Sequence, residues 1–377
     1  MNDAALLRLV DRVLAARAAR TPLRLQGAGS KDFYGEALQG EVLSTHELRG
    51  ILSYEPSELV VRVAAGTPLA ELEAALAEQG QMLPFEPPHF GADATGGTCG
   101  GMVAAGLSGP ARASAGSVRD HVLGVRLING RGELLRFGGE VMKNVAGYDV
   151  SRLMVGAWGT LGLLTDIAIK VLPCAPAQAT LRFELNQAKA LTHLHGWLAQ
   201  PLPINASCWV RDDTTPTQPQ CLYVRLRGAV AAVEEACTRL LADAPGQRLG
   251  PETDADWDAC RNQRQPFFAP PSPELALWRL SLPQTTPALD LPQPQLVEWH
   301  GAQRWLWAAP SEAGRLRALA SQHGGSAMIF RAPAAGSAGA GDRFHPLNAA
   351  ELAIHRRIKA AFDPDGIFNP GRLGTDW

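Results

Sequence analysis

No two cysteines in this chain have the Cys-x-x-Cys spacing of a zinc or iron–sulfur site. The six thiols, Cys99, Cys174, Cys208, Cys221, Cys237 and Cys260, are scattered and read as reduced and mostly buried. Charge of either sign is also scarce. With 19% charged residues and a net charge of −2, the chain has no broad basic field for nucleic acid and no acidic tail. No segment reaches the roughly 20 apolar residues of a membrane helix. The first apolar stretch, Leu6 to Ala19, is broken by Arg8, Asp11, Arg12 and Arg17 and reads as an amphipathic helix, not a secretory signal. These absences predict a cytoplasmic protein that holds no metal and binds no nucleic acid.

What is present is apolar and glycine-rich. A chain of 377 residues with 46% hydrophobic side chains is too long for one ordinary core and predicts two domains. Leu23–Leu25 reads as a strand running into Gln26-Gly27-Ala28-Gly29-Ser30-Lys31. Glu58–Val63 alternates as a second strand, followed by a helix with Thr67 as N-cap, Pro68 at its first position and Gly80 at its end. From Thr95 to Gly116 bulky side chains are almost missing. The next residues form a hairpin signal, Val122–Ile128 and Glu133–Phe137, so the Gly-rich run reads as a folded ligand-contact segment. Beyond Pro173 proline becomes frequent, and seven of the nine tryptophans fall between Trp197 and Trp307. Short strands there alternate with helices, as in an α+β domain on an antiparallel sheet. Ala332–Gly341 reads as a linker, followed by an amphipathic helix through Leu352, Ile358 and Phe362.

Four glycine clusters carry the candidate chemistry. Gly27 and Gly29 allow positive φ, so that successive N–H groups of the 26–31 loop can face one anion, with Ser30 and Lys31 adding a hydroxyl and a charge. The loop has neither Walker nor Rossmann spacing. Thr98-Cys99-Gly100-Gly101 offers bare backbone and a hydroxyl, and the stiff segment around Pro84 could wall a pocket. Gly116-Ser117-Val118-Arg119-Asp120 and Gly159-Thr160-Leu161-Gly162 complete the series. Each cluster alone reads equally well as a simple turn; their order and spacing carry the signal.

That ordered series is Gln-Gly-Ala-Gly-Ser (26–30), Leu-Pro-x-x-Pro (83–87), Thr-x-Gly-Gly (98–101), Gly-Ser-Val-Arg-Asp (116–120), Lys-Asn-Val-Ala-Gly-Tyr-Asp (143–149) and Gly-Thr-Leu-Gly (159–162). With Phe-Asn-Pro-Gly-Arg (368–372), it resembles the FAD-linked oxidase family, of the vanillyl-alcohol oxidase type, that includes glycolate oxidase and D-lactate dehydrogenase. Phe85-Glu86-Pro87-Pro88-His89 and Phe137–Lys143 resemble the E-subunit type of the bacterial glycolate oxidases. The resemblance implies an α+β chain: a split FAD-binding domain over 1–173, completed by 344–377, and an antiparallel α+β cap domain over 174–343. It assigns Gly27–Lys31 to the pyrophosphate of a non-covalent FAD. Pro84, Thr98, Gly100, Gly101, Ser108, Gly116, Ser117 and Asp120 are assigned to the rest of the cofactor, Gly162 and Leu164 to its adenine end, and Asn369 to a return from the C-terminus. Gln26 stands where catalytic relatives commonly have arginine, and Lys31 is the expected substitute charge.

The resemblance also implies a complex oxidising a small 2-hydroxy acid, glycolate and in addition D-lactate, to the 2-oxo acid. Its partners would be a second flavoprotein subunit and an iron–sulfur subunit, with attachment to the inner face of the membrane through them. The departure lies in the second domain. Catalytic relatives carry His-x-His followed by Gly-Asp-Gly-Asn, whereas here His193-Leu194-His195 sits on a predicted helix, where i and i+2 side chains diverge. His89, His121 and His355 are better placed, yet each reads first as a structural histidine. No catalytic residue is assigned. A non-catalytic assembly subunit and a self-sufficient hydroxy-acid dehydrogenase are the alternative readings.

Overall fold

The computed structural model describes residues 3–91, 96–139, 148–212, 216–334 and 342–374. The Lys143–Asp149 motif therefore lies outside the described residues except for Tyr148 and Asp149, and so does all of the 332–341 segment beyond residue 334. The chain divides into two units. One comprises 1–108, 116–174 and 346–377, the other 109–115 and 175–345. The short Gly109–Ala115 stretch thus goes with the second unit although it lies inside the first in sequence.

In the first unit a five-stranded antiparallel sheet runs in the order Ile51–Glu55, Val60–Ala64, Leu163–Lys170, Val122–Ile128, Leu134–Gly138. The Leu163–Lys170 strand is buried through Ile169, as its central place requires, and its buried Asp166 is paired with Arg62 at 2.7 Å. Leu69, Leu72 and Leu76 of helix Leu69–Ala77 join Val61, Val63, Ile167 and Ile169 in its core. Thr67 is not that helix's cap. Pro68 takes the position, while Thr67 Oγ1 accepts from Gly50 N at 2.9 Å and fastens the preceding loop. A separate parallel pair, Leu23–Gln26 with Glu41–Ser44, is extended by a bridge from Leu23 to Phe368, which brings the C-terminal segment beside the first strand.

The part of the Gly-rich run around Thr98 folds as a short helix, Cys99–Ala105. Thr98 Oγ1 caps it by accepting from Gly101 N at 3.2 Å, and Gly106 at φ 63 stops it. Gly100 N donates to Ala65 O at 2.7 Å, and a Cβ on Gly100 would stand 2.7 Å from the Cβ of Ala65. Glycine is needed here for close helix-to-strand packing.

The second unit is an eight-stranded antiparallel sheet in the order Gly246–Leu249, Ala177–Glu184, Gln220–Gly228, Ile204–Arg211, Gln295–Glu298, Gln303–Ala308, Ala276–Ser281, Ser326–Arg331. Helices Gln187–Leu198 and Val230–Asp243 cover one apolar cluster, and Ala313–Gln322 covers another around Trp278 and Leu306. Two strands, Gly246–Leu249 and Gln295–Glu298, and helix Thr253–Arg261 were not legible as elements in the sequence. The helix carries Asp254, Asp256 and Asp258 and is too polar to announce itself, and Thr253, Trp257 and Cys260 form its buried side.

Candidate functional site

A cavity lies wholly within the first unit and opens to solvent at its mouth. Its walls contain Gln26, Gly27, Ala28, Gly29, Ser30, Lys31, Thr98, Gly100, Gly101, Gly162, Leu164 and Asn369, twelve of the residues assigned from sequence, drawn from four separated stretches.

The loop that leaves the first strand is shaped by two different constraints. Gly29 has φ 71, the left-handed conformation expected of it. Gly27 is not at positive φ; a Cβ there would stand 2.2 Å from Thr98 Oγ1. Its glycine is a matter of room. Arg24 pairs with the Asp32 carboxylate, which also receives Gln26 Nε2 at 3.5 Å, so the nearest acid is already engaged.

Lys31 is the electrostatic centre. It is 8% exposed, its Nζ is 3.5 Å from Ser30 Oγ and 5.9 Å from the centre of the Phe90 ring, and no carboxylate among the described residues pairs with it. Burial lowers its pKa from the usual lysine value to about 8. A buried ammonium without an anion is a poor arrangement for folding and a good one for receiving an anion.

The C-terminal segment supplies the facing wall. Asn369, at φ 40, accepts Leu25 N at 2.8 Å through Oδ1 and donates to Trp158 O at 2.6 Å through Nδ2. Its amide joins two stretches of cavity wall. Arg372 Nη1 donates to Glu36 O at 2.5 Å and Nη2 to Lys31 O at 3.3 Å, with the guanidinium 5.5 Å from the Trp158 ring. Trp158 in turn stacks on Tyr34, ring centres 4.2 Å apart. The segment is anchored by a buried pair: Lys359 Nζ donates to Asp363 Oδ2 (2.6 Å), Thr160 O (2.7 Å) and Phe368 O (2.9 Å). Asp363 also accepts from Ile367 N and Phe368 N.

Sequence reading missed Thr45, Trp158 and Arg372. Arg372 stands in the quoted Phe-Asn-Pro-Gly-Arg motif and could have been taken with Asn369. Trp158, at φ 51, gave no sequence signal for its conformation. Five assigned residues, Pro84, Ser108, Gly116, Ser117 and Asp120, do not line this cavity. Pro84 is buried. Ser117 N and Oγ both donate to Asp120 Oδ2, at 2.8 and 2.9 Å, which holds the Asp120 carboxyl below its ordinary range, and Ser108 Oγ accepts Val118 N. The histidines have structural partners: His195 Nε2 lies 2.8 Å from the Gln284 carbonyl, His193 stands against Trp197, and His89 Nε2 is 2.9 Å from Glu73. His121 is buried beside Phe85, and His355 lies on helix Ala349–Phe362.

Comparison with known proteins gives the same reading from another direction. The FAD binding domain family matches residues 8–138, and the C-terminal domain of FAD linked oxidases matches 346–373. The chain is 45% identical over 367 residues to glycolate oxidase subunit GlcE of Escherichia coli, covering 97% of this chain and 96% of that one. With glycolate oxidase subunit GlcD of Bacillus subtilis it shares 30% identity over 164 residues, 43% of this chain and 34% of that one. Among solved structures, p-cresol methylhydroxylase superimposes with a TM-score of 0.68 at 14% identity, over 98% of this chain and 87% of the other. Among the described residues no helix is long and apolar enough to cross a membrane. The chain belongs to the FAD-linked oxidases, with their FAD-binding fold of the vanillyl-alcohol oxidase and p-cresol methylhydroxylase type and an antiparallel-sheet cap domain.

Proposed function

We propose that this chain is the FAD-holding subunit of a cytoplasmic complex that oxidises glycolate or a similar small 2-hydroxy acid. It would act with a second flavoprotein and an iron–sulfur subunit, which tie the complex to the inner face of the membrane. The observation that carries the reading is Lys31: a buried cation with no carboxylate partner among the described residues, on a glycine loop that lines the cavity. The residues fit FAD. Lys31, Ser30 and the backbone of Gly27–Gly29 would take the pyrophosphate. Gly162 and Leu164 would lie along the adenine end, while Trp158, Asn369 and Arg372 close the opposite wall. Bound FAD would supply the redox chemistry, taking up electrons from the oxidation or relaying them onward.

The chain's described residues bind and orient, and neither His193 nor His195 is placed to act as a base. His195 is spent on a backbone carbonyl, and His193 packs on Trp197. Substrate chemistry then concentrates on the partner flavoprotein, because losing a positioned base costs about 10²–10⁴ in rate. Attachment of the cofactor is non-covalent: Gln26–Tyr34 contains no His or Cys, and Cys99 is fully buried with its thiol pKa pushed far up by desolvation.

The test is one visible spectrum of the purified chain, repeated anaerobically with glycolate and after acid precipitation. A flavin spectrum that glycolate does not bleach, with yellow supernatant and colourless pellet, is the expected result. A colourless chain would favour a pure assembly subunit. Rapid bleaching by glycolate would make the chain a self-sufficient dehydrogenase.

A further inference from the structure

Trp158 stands in the cavity wall in a conformation that tryptophan rarely adopts. Its φ is 51 and that of Gly159 is 71, so two successive wall residues are left-handed. A bulky side chain in that region persists only where the surroundings over-determine it. Contacts of three kinds do so here. Trp158 N–H donates to Ala104 O at 2.9 Å, which ties the turn to the C-terminal end of helix Cys99–Ala105. Its carbonyl accepts Asn369 Nδ2 at 2.6 Å. Its ring lies on Tyr34, centres 4.2 Å apart and planes within 5° of parallel, and the Arg372 guanidinium is 5.5 Å from the ring centre. Gly159 then fits close against the C-terminal segment: a Cβ there would stand 2.7 Å from Asn369 Nδ2 and 3.3 Å from Leu25 Cδ1.

One residue thus joins its own turn to three separated parts of the first unit: the segment that follows Lys31, through Tyr34; the Thr98–Ala104 stretch, through its amide; and the C-terminal segment, through its carbonyl and ring. Ala104, Trp158, Gly159, Asn369 and Arg372 all line the cavity. We infer that Trp158 is a positioning residue for FAD. Pinned by its amide and seated flat on Tyr34, it presents the carbonyl that holds Asn369 and the ring face that meets Arg372. It thereby sets the wall that faces the anion loop. The ring is the part that decides this, because any residue would bring the same amide and carbonyl, and only an aromatic one fixes their direction from Tyr34. The inference rests on the FAD reading above.

Three variants of the full chain test it. Trp158→Gly accepts φ 51 without strain and keeps the carbonyl, so it deletes the ring alone. Tyr34→Leu removes the surface on which the ring is seated. Trp158→Phe keeps an aromatic ring between Tyr34 and Arg372. FAD affinity and dissociation rate are read by flavin fluorescence, and hydrogen exchange at the 157–162 and 369–372 amides is followed in the cofactor-free protein. Trp158→Gly and Tyr34→Leu should each weaken FAD binding about three- to tenfold, the worth of a stacked pair with its cation–π contact, through faster dissociation. Exchange at 157–162 and 369–372 should accelerate, with exchange in strands Val60–Ala64 and Leu163–Lys170 unchanged. Trp158→Phe should restore both readouts. Unaltered FAD affinity in Trp158→Gly would overturn the inference. So would a loss of protection that spreads through both strands, since the ring would then serve the core and not the wall. If Trp158→Gly fails to fold, Tyr34→Leu and Trp158→Phe decide on the same readouts. A wild-type chain that takes up no FAD would strike the cofactor reading itself, before any variant is made.

Discussion

The two walls of the cavity are built by opposite means. The Gln26–Lys31 wall is local: a four-residue strand runs straight into a loop whose shape comes from Gly29 at φ 71 and from the space left by Gly27. The Asn369–Arg372 wall is held from a distance. It reaches the cavity because Lys359 and Asp363 form a buried knot with Thr160, Ile367 and Phe368, and because Asn369 is stitched to Leu25 and Trp158. A local wall tolerates damage elsewhere and fails by its own substitutions. A remote wall fails with its anchor, although the anchor touches no ligand.

The largest effect should come from breaking that anchor. Asp363→Ala leaves the Lys359 ammonium buried and unpaired, which costs about 3–5 kcal/mol. Chemical denaturation should show a loss of this size, and FAD affinity should fall with it as Asn369 and Arg372 lose their support. Lys359→Met with Asp363→Leu removes both charges and should recover part of the stability, because an apolar pair often replaces a buried ion pair at little cost. A stable, FAD-replete Asp363→Ala protein would show that the C-terminal wall holds itself, and the contrast between the walls would disappear.

On the local wall, Gly27→Ala should cost about 1–3 kcal/mol by overpacking against Thr98. Removing the obstacle tests the cause. Thr98→Ala alone loses the helix N-cap, worth about 1 kcal/mol. Combined with Gly27→Ala it should lose less than the sum of the two, since the Oγ1 that stands 2.2 Å from the new methyl is gone. Strict additivity would mean that Gly27 is glycine for another reason.

The same contrast governs what the sequence disclosed. The 26–31 loop could be read as a candidate anion site because its determinants are adjacent: strand, paired glycines, serine and lysine. The reason for Gly27 was not, since Thr98 lies 71 positions away and only the fold brings them together. Thr98-Cys99-Gly100-Gly101 was legible as a place without side chains, but not as the start of a helix packed on Ala65. The eight-stranded sheet was read as antiparallel α+β from alternation alone, while its short strand Gln295–Glu298 escaped because all four residues are buried and show no period of two. Lys359 and Asp363 could be read as an i, i+4 pair at a helix end. Their burial, which makes them an anchor, belongs to tertiary structure. Trp158 was invisible for a similar reason, since nothing in Ala-Trp-Gly announces a left-handed tryptophan.

The smallest effect, and the sharpest on mechanism, concerns Lys31. Without cofactor, burial disfavours its charged form and places its pKa near 8. For the protein alone, stability is therefore lost as pH falls from the usual lysine range towards 8 and is level below that. FAD binding has the opposite dependence. The pyrophosphate stabilises the ammonium and raises its pKa, so affinity is constant below about pH 8 and weakens above it as binding draws in a proton, by up to about tenfold per pH unit. Lys31→Met should weaken FAD binding about tenfold or more at neutral pH, the worth of a charge-assisted bond, and should abolish the pH dependence between pH 8 and about 9.5. Isothermal titration in two buffers of different ionisation enthalpy would read the proton directly. Wild-type binding with no proton uptake at pH 8.5 would show that Lys31 does not meet the phosphates, and the local wall would then bind its anion through backbone N–H groups alone.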